Sequence, residues 1–174
     1  MIIEIAGQRC KDATLEYRPQ RGTLMTKSIL VFDPGESTGW CFQASSGVVY
    51  GGTARKDHLE VANLIRVAQP DIVVLESFHL YPQMAKSLSW NSFYPCETIG
   101  AIKVTCMELK IPMVEQAPSV KKYFGGFQSD WETIGYLHLQ LEPFSRGVTE
   151  HTKDAYMHYR YFMRNGFKKF QDAP

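Results

Sequence analysis

Two carboxylates hold equivalent places in the chain. Asp33 closes the apolar run Ile29-Leu30-Val31-Phe32, and Glu76 closes Ile72-Val73-Val74-Leu75. Both runs read as strands buried on both faces. Both acids should therefore emerge at the carboxyl edge of a sheet, where sites form in open α/β sheets. If the two strands are parallel neighbours, the acids converge. Carboxylates that close repel, and a hard divalent cation is the usual way to keep both ionised at neutral pH. All-oxygen ligation suits Mg²⁺ or Mn²⁺ rather than Zn²⁺. The alternative is two unconnected turn residues at strand ends. Farther along, His151 and Asp154 stand three apart and share one face of a predicted helix. Laid across the sheet, that helix would bring a third acid and a histidine to the same edge. Such a set suits two-metal phosphoryl transfer, with the ions about 3.5–4 Å apart. His158, one turn beyond on the same side, is either a supporting group behind the ligands or an ordinary core or surface histidine.

Positive charge lies near these acids. Lys121 and Lys122 follow the last predicted strand, and Lys153, Arg160, Arg164 and Lys168 fall along one stripe of the final helix or its extension. Phosphate backbones need such local charge, although a solvated helix face produces the same stripe. The linker Phe78–Tyr94 carries Tyr81, Trp90, Phe93 and Tyr94. These rings could stack on unpaired bases or cover the core.

The elements that must position these groups follow from the pattern. Asp33-Pro34-Gly35 is a turn signal. Gly39–Ala44 and Val48–Gly52 read as a hairpin around Ser45-Ser46-Gly47. A helix is predicted over Arg55–Ala68, with Val61, Leu64, Ile65 and Ala68 inward and Pro70 just past its end. A second runs from Pro95 to Lys110 on the stripe Ile99, Ile102, Cys106 and Leu109. Ile111–Glu115 is a short strand, Pro118 opens a helical turn, Gly125-Gly126 breaks the chain, and a helix is expected around Asp130–Leu141. The last helix spans Thr149 to Arg164 and stops at Asn165-Gly166. The result is an α/β fold with a mixed five-stranded sheet flanked by helices. Residues 1–27 read as a peripheral or flexible arm, and 28–170 as the domain.

With 174 residues, one compact core is the default. No apolar run is long enough for a membrane-spanning helix, and the N-terminus lacks the parts of a secretion signal. The net charge of +1 excludes a polybasic tail but permits a local basic groove. Cys10, Cys41, Cys96 and Cys106 form no paired motif, as expected of free thiols in a reducing cytoplasm.

The segment ILVFDPGESTGWCF (29–42) resembles the opening of RuvC-type Holliday junction resolvases. The resemblance continues in QPDIVVLESF (69–78), in the helix containing Gly100, in QAPSVKKYFGG (116–126) and in HTKDA (151–155), in the family's order. It implies an RNase H-like fold and a Mg²⁺-dependent endonuclease with two ions, Mn²⁺ being able to substitute. The substrate would be branched DNA, cut to 5′-phosphate and 3′-hydroxyl ends by a homodimer whose pairing element is the helix around Glu97–Lys110. By the same resemblance Asp33, Glu76 and Asp154 match the acidic ligands. His151 falls where relatives carry an Asp or a His, and Lys121 or Lys122 matches a basic residue near the scissile phosphate. The family's second lysine has no evident match, since Asp130 and Trp131 stand in that region. The arm likewise has no counterpart. The divergence is similar to that of phage-encoded relatives, which implies the cytoplasm of a bacterium or a phage-infected cell.

Three other readings compete. A non-cleaving branched-DNA-binding protein would need the acid set to be idle. Another RNase H-like nuclease (flap, terminase-type or RNA–DNA hybrid) would keep the metals and change the substrate. The Asp-x-Gly turn also resembles that of actin-like ATPases, but those clamp a nucleotide between two such domains and this chain has room for one.

Overall fold

Continuous apolar runs make central strands, because only a strand covered on both sides can bury every residue. The computed structural model describes residues 26–54, 56–78, 93–124 and 149–168. It places β1 at Ile29–Asp33, β2 at Thr38–Gln43, β3 at Val49–Ala54, α1 at His58–Ala68 and β4 at Ile72–Glu76. Then follow α2 at Tyr94–Leu109, β5 at Met113–Gln116, a 3₁₀ helix at Pro118–Phe124 and α3 at Glu150–Asn165. The sheet order is β3-β2-β1-β4-β5. The β1–β2–β3 meander is antiparallel, whereas β1, β4 and β5 run parallel. The expected mixed five-stranded sheet is therefore present.

Side-chain alternation splits the core into two layers. Leu30, Phe32, Val73 and Leu75 pack against Val61, Leu64 and Ile65 of α1 and Ile99, Ile102 and Cys106 of α2. Ile29, Val31, Ile72 and Val74 face the other way, onto Ala155, Tyr159 and Phe162 of α3. Both apolar stripes anticipated for α1 and α2 point inward.

Register is pinned at the start of the central pair. Asp71 Oδ2 accepts from the Ser28 backbone N–H at 2.7 Å and from its hydroxyl at 2.8 Å. With Phe32 opposite Leu75, Asp33 and Glu76 leave the sheet side by side, and Glu76 lies opposite Gln116.

Helix α1 begins at His58 rather than Arg55, because the Asp57 carboxylate caps it by accepting from the Leu59 N–H at 2.8 Å. Cys41, Cys96 and Cys106 are free thiols, as expected. No described helix is long and apolar enough to cross a membrane. The arm, apart from Thr26 and Lys27, and the helix expected at Asp130–Leu141 lie outside the described residues, as does most of the aromatic linker.

Candidate active site

Asp33, Glu76 and Gln116 end the three parallel strands on the face covered by α3. Helix α3 crosses this face and is fixed there at its N-terminus by hydroxyls. Thr53 Oγ1 lies 2.7 Å from Thr149 Oγ1 and 3.0 Å from Thr152 Oγ1, and the Thr152 hydroxyl donates to the Gly52 carbonyl at 2.9 Å. The Thr149 N–H donates to Thr152 Oγ1 at 3.1 Å, which satisfies an otherwise unpaired amide at the helix start. The helix comes so close to β2 that a Cβ on Gly39 would lie 2.0 Å from the His151 carbonyl oxygen and 2.6 Å from the Thr152 nitrogen. Only glycine admits this crossing.

The crossing brings Asp154 to the strand ends. Its Oδ2, Asp33 Oδ1 and Glu76 Oε2 converge on one point, which the Lys121 ammonium occupies at 2.8, 3.0 and 2.7 Å. Asp33 is the most deeply buried of the three acids, with 7% of its side chain exposed, against 16% for Glu76 and 28% for Asp154. The cluster therefore opens to solvent on the α3 side. The other oxygen of Asp33 meets His151 Nδ1 at 2.9 Å, and His151 is itself half exposed. His151 thus sits beside Asp33, away from the point the three acids share.

Behind the acids, His158 is fully buried. Its Nε2 lies 2.8 Å from Glu76 Oε2 and its Nδ1 2.7 Å from Gln116 Oε1. A carboxylate only accepts, so Nε2 donates. Gln116 is in turn held by its carbonyl, which accepts from the Ser77 N–H at 2.8 Å and the Ser77 hydroxyl at 3.1 Å. By burial His158 is a core histidine, and its ring contacts both Glu76 and Gln116.

Burial pushes Asp33 up, the Lys121 charge pulls it back and neighbouring Glu76 raises it again, for a net value of about 6. Burial also works against ionised Glu76. The hydrogen bonds from His158 and Lys121 outweigh it and hold that carboxyl at about 2. The Lys121 ammonium loses solvation as well, yet the three carboxylates hold its proton more tightly than in an ordinary lysine. The two adjacent carboxyls are thus displaced in opposite directions, Asp33 by burial and Glu76 by the groups that donate to it.

The structure thus gathers Asp33, Glu76, His151, Asp154 and Lys121, and leaves Lys122 exposed outside the cluster. Tyr94 is core cover rather than a base-stacking platform: it is 6% exposed and stacks on His58 with centroids 4.5 Å apart. Phe78 and Phe93 stay partly exposed, edge to face at 6.4 Å. Gln116, the threonine clamp and the steric role of Gly39 were not anticipated. An amide at the end of a parallel strand, in register with two acids, was the one available signal.

The donor set around the shared point is three carboxylate oxygens on three separate elements. That is the ligand chemistry of a hard divalent cation, which binds such oxygens at 2.0–2.1 Å. The residues suit Mg²⁺ or Mn²⁺ by type, but among the described residues no group of three His, Cys, Asp or Glu side chains is arranged to hold a metal ion, and the point the three acids share is filled by the Lys121 ammonium.

No protein-family model and no curated protein sequence matches the chain. Solved structures do. Thermus thermophilus RuvC in complex with a Holliday junction substrate superposes with a TM-score of 0.55 at 18% identity, over 82% of this chain and 98% of that one. The chain has a RuvC-like, RNase H-type fold. Thermus thermophilus RuvC alone gives a TM-score of 0.46 at 17% identity, covering 80% and 97% of the two chains. The yeast mitochondrial Holliday junction resolvase Ydc2 gives 0.45 at 14% identity, covering 82% and 83%.

Proposed function

We propose that this protein is a divalent-metal-dependent endonuclease that resolves four-way DNA junctions. The observation that carries this reading is the convergence of Asp33, Glu76 and Asp154 on one cation-holding point at the carboxyl edge of the sheet. The fold likeness to a RuvC bound to a Holliday junction supports the choice of substrate. Asp33, Glu76 and Asp154 would hold Mg²⁺ or Mn²⁺, with His151 at the rim completing a two-ion set. When bound, the metal supplies a nucleophilic water and charge stabilisation at the departing oxygen.

The chain's own groups do the rest. His158, held by Gln116, fixes the rotamer of Glu76. His151 holds the outer oxygen of Asp33. Lys121 supplies a positive charge at the edge where a phosphate would lie. Two symmetric cuts require two sites, so the working form is a homodimer. Leu59 and Val67 of α1 and Val104 and Met107 of α2 expose large apolar side chains that pairing would cover.

The test compares a mobile four-way junction, a flap, a linear duplex and an RNA–DNA hybrid, each with Mg²⁺, Mn²⁺ or EDTA. Metal-dependent cutting of the junction above the other substrates is expected, with Asp33→Asn binding the junction but not cutting it. Preference for flap or hybrid would replace this reading with a broader RNase H-like nuclease. Binding without any cutting would replace it with a junction-binding module.

A further inference from the structure

We propose that Lys121 is an internal competitor for the metal: its ammonium holds the three carboxylates while the site is idle, and a divalent cation loads only as that side chain leaves. The inference rests on the metal-nuclease reading and adds a regulation of the same site.

Lys121 Nζ is 2.7–3.0 Å from one oxygen each of Asp33, Glu76 and Asp154. An ammonium has three N–H groups, and three carboxylates on β1, β4 and α3 take them. A cation shared by the same three oxygens needs the point Nζ now fills, so lysine and metal exclude each other there on distance alone.

Charge explains why the arrangement is a competition and not a permanent plug. Three carboxylates face one ammonium, which leaves the cluster with negative charge that a divalent ion cancels more fully. Opposing the ion are charge-assisted hydrogen bonds, the strong kind, in a partly buried setting. Lys121 also has somewhere to go: a quarter of its side chain is already exposed, on a 3₁₀ turn at the rim. Off the acids, the ammonium is available to a phosphate at the same edge. The acids therefore stay paired without metal, and the lysine gains a second role when metal displaces it.

An ordinary structural ion pair makes a different prediction, because its removal would weaken the site for every ligand. The experiment titrates Mn²⁺ into the DNA-free full chain by calorimetry for wild type, Lys121→Met, Lys121→Arg and Asp33→Asn, with thermal denaturation in EDTA and in Mn²⁺. The Met variant should bind Mn²⁺ on the order of tenfold more tightly, within the usual range of coupled sites. The Arg variant, which keeps a cation, should not. In EDTA the Met variant should melt below wild type, and Mn²⁺ should raise its Tm by more. Junction cutting should nevertheless fall, so that affinity and activity move in opposite directions. Lys121→Gln covers a Met variant that does not fold, and it too should tighten Mn²⁺ binding. Unchanged or weaker Mn²⁺ binding in the variants overturns the competitor role alone. Mn²⁺ binding by wild type no stronger than by Asp33→Asn overturns the metal-nuclease reading beneath it.

Discussion

Asp33 and Glu76 are adjacent carboxyls with opposite displacements, and the cause is visible in their partners. Glu76 has a buried histidine and a lysine to hold its charge. Asp33 is the more deeply buried and has Glu76 beside it. In the folded, metal-free chain Asp33 therefore keeps a proton up to about pH 6, whereas the unfolded chain releases it near 3.8. Between these values the native state binds more protons, so the contribution is present below about pH 4 and is lost as pH rises through 6. Glu76 works in the other direction and in a lower window: its contribution is present above 4.5 and lost as pH falls toward 2. In EDTA, wild type should lose stability relative to Asp33→Asn as the pH rises from 4.5 to 7. Paired thermal melts at the two pH values read this directly. A constant difference between the two proteins would contradict the environment described for Asp33. This scale was the least legible from sequence. Lys121 and Lys122 are adjacent, and which one turns inward depends on the phase of a 3₁₀ turn. The role of His158 required Gln116, whose position is set by strand register.

At the scale of elements, the legible parts were those with a strong local signature. Two apolar runs ending in acids gave the central strands, because a strand buried on both faces has no polar positions. The i, i+3 spacing of His151 and Asp154 placed both toward one edge. What held α3 in place was not legible. The clamp through Thr53, Thr149 and Thr152 and the contact at Gly39 join segments about a hundred residues apart. Gly39→Ala puts a methyl against helix backbone, which has no rotamer to yield, so α3 must shift and carry Asp154 and His151 with it. Junction cutting should fall about 100-fold, as displacements near 1 Å do, while the far-UV circular dichroism of the fold is kept. Full activity in this variant would show that the crossing has slack the structure does not display.

Across the whole molecule, the sheet divides the labour. One layer, α1 and α2, faces away from the acids and carries exposed Leu59, Val67, Val104 and Met107; the other, α3, builds the site. Pairing through the outer helices would leave both sites open to DNA. Met107 is 76% exposed, so Met107→Glu should leave the fold intact and convert the proposed homodimer to a monomer by light scattering. Junction products should change from paired cuts to single nicks. An unaltered mass with paired cuts would place the pairing surface elsewhere. The mixed five-stranded sheet was legible because its strand runs and intervening helices alternate in the order of a layered α/β fold.

In the proposed reaction the acids at the sheet edge cut branched DNA with a divalent metal. The most direct test is a supercoiled plasmid that extrudes a cruciform, incubated with wild type or Asp33→Asn in Mg²⁺ or in EDTA. Two symmetric cuts across one junction yield a linear plasmid, and a lone nick yields a relaxed circle. Linear product from wild type only, in Mg²⁺ only, is the predicted result. Equal linearisation by Asp33→Asn, or cutting that persists in EDTA, would remove Asp33 and the metal from the reaction.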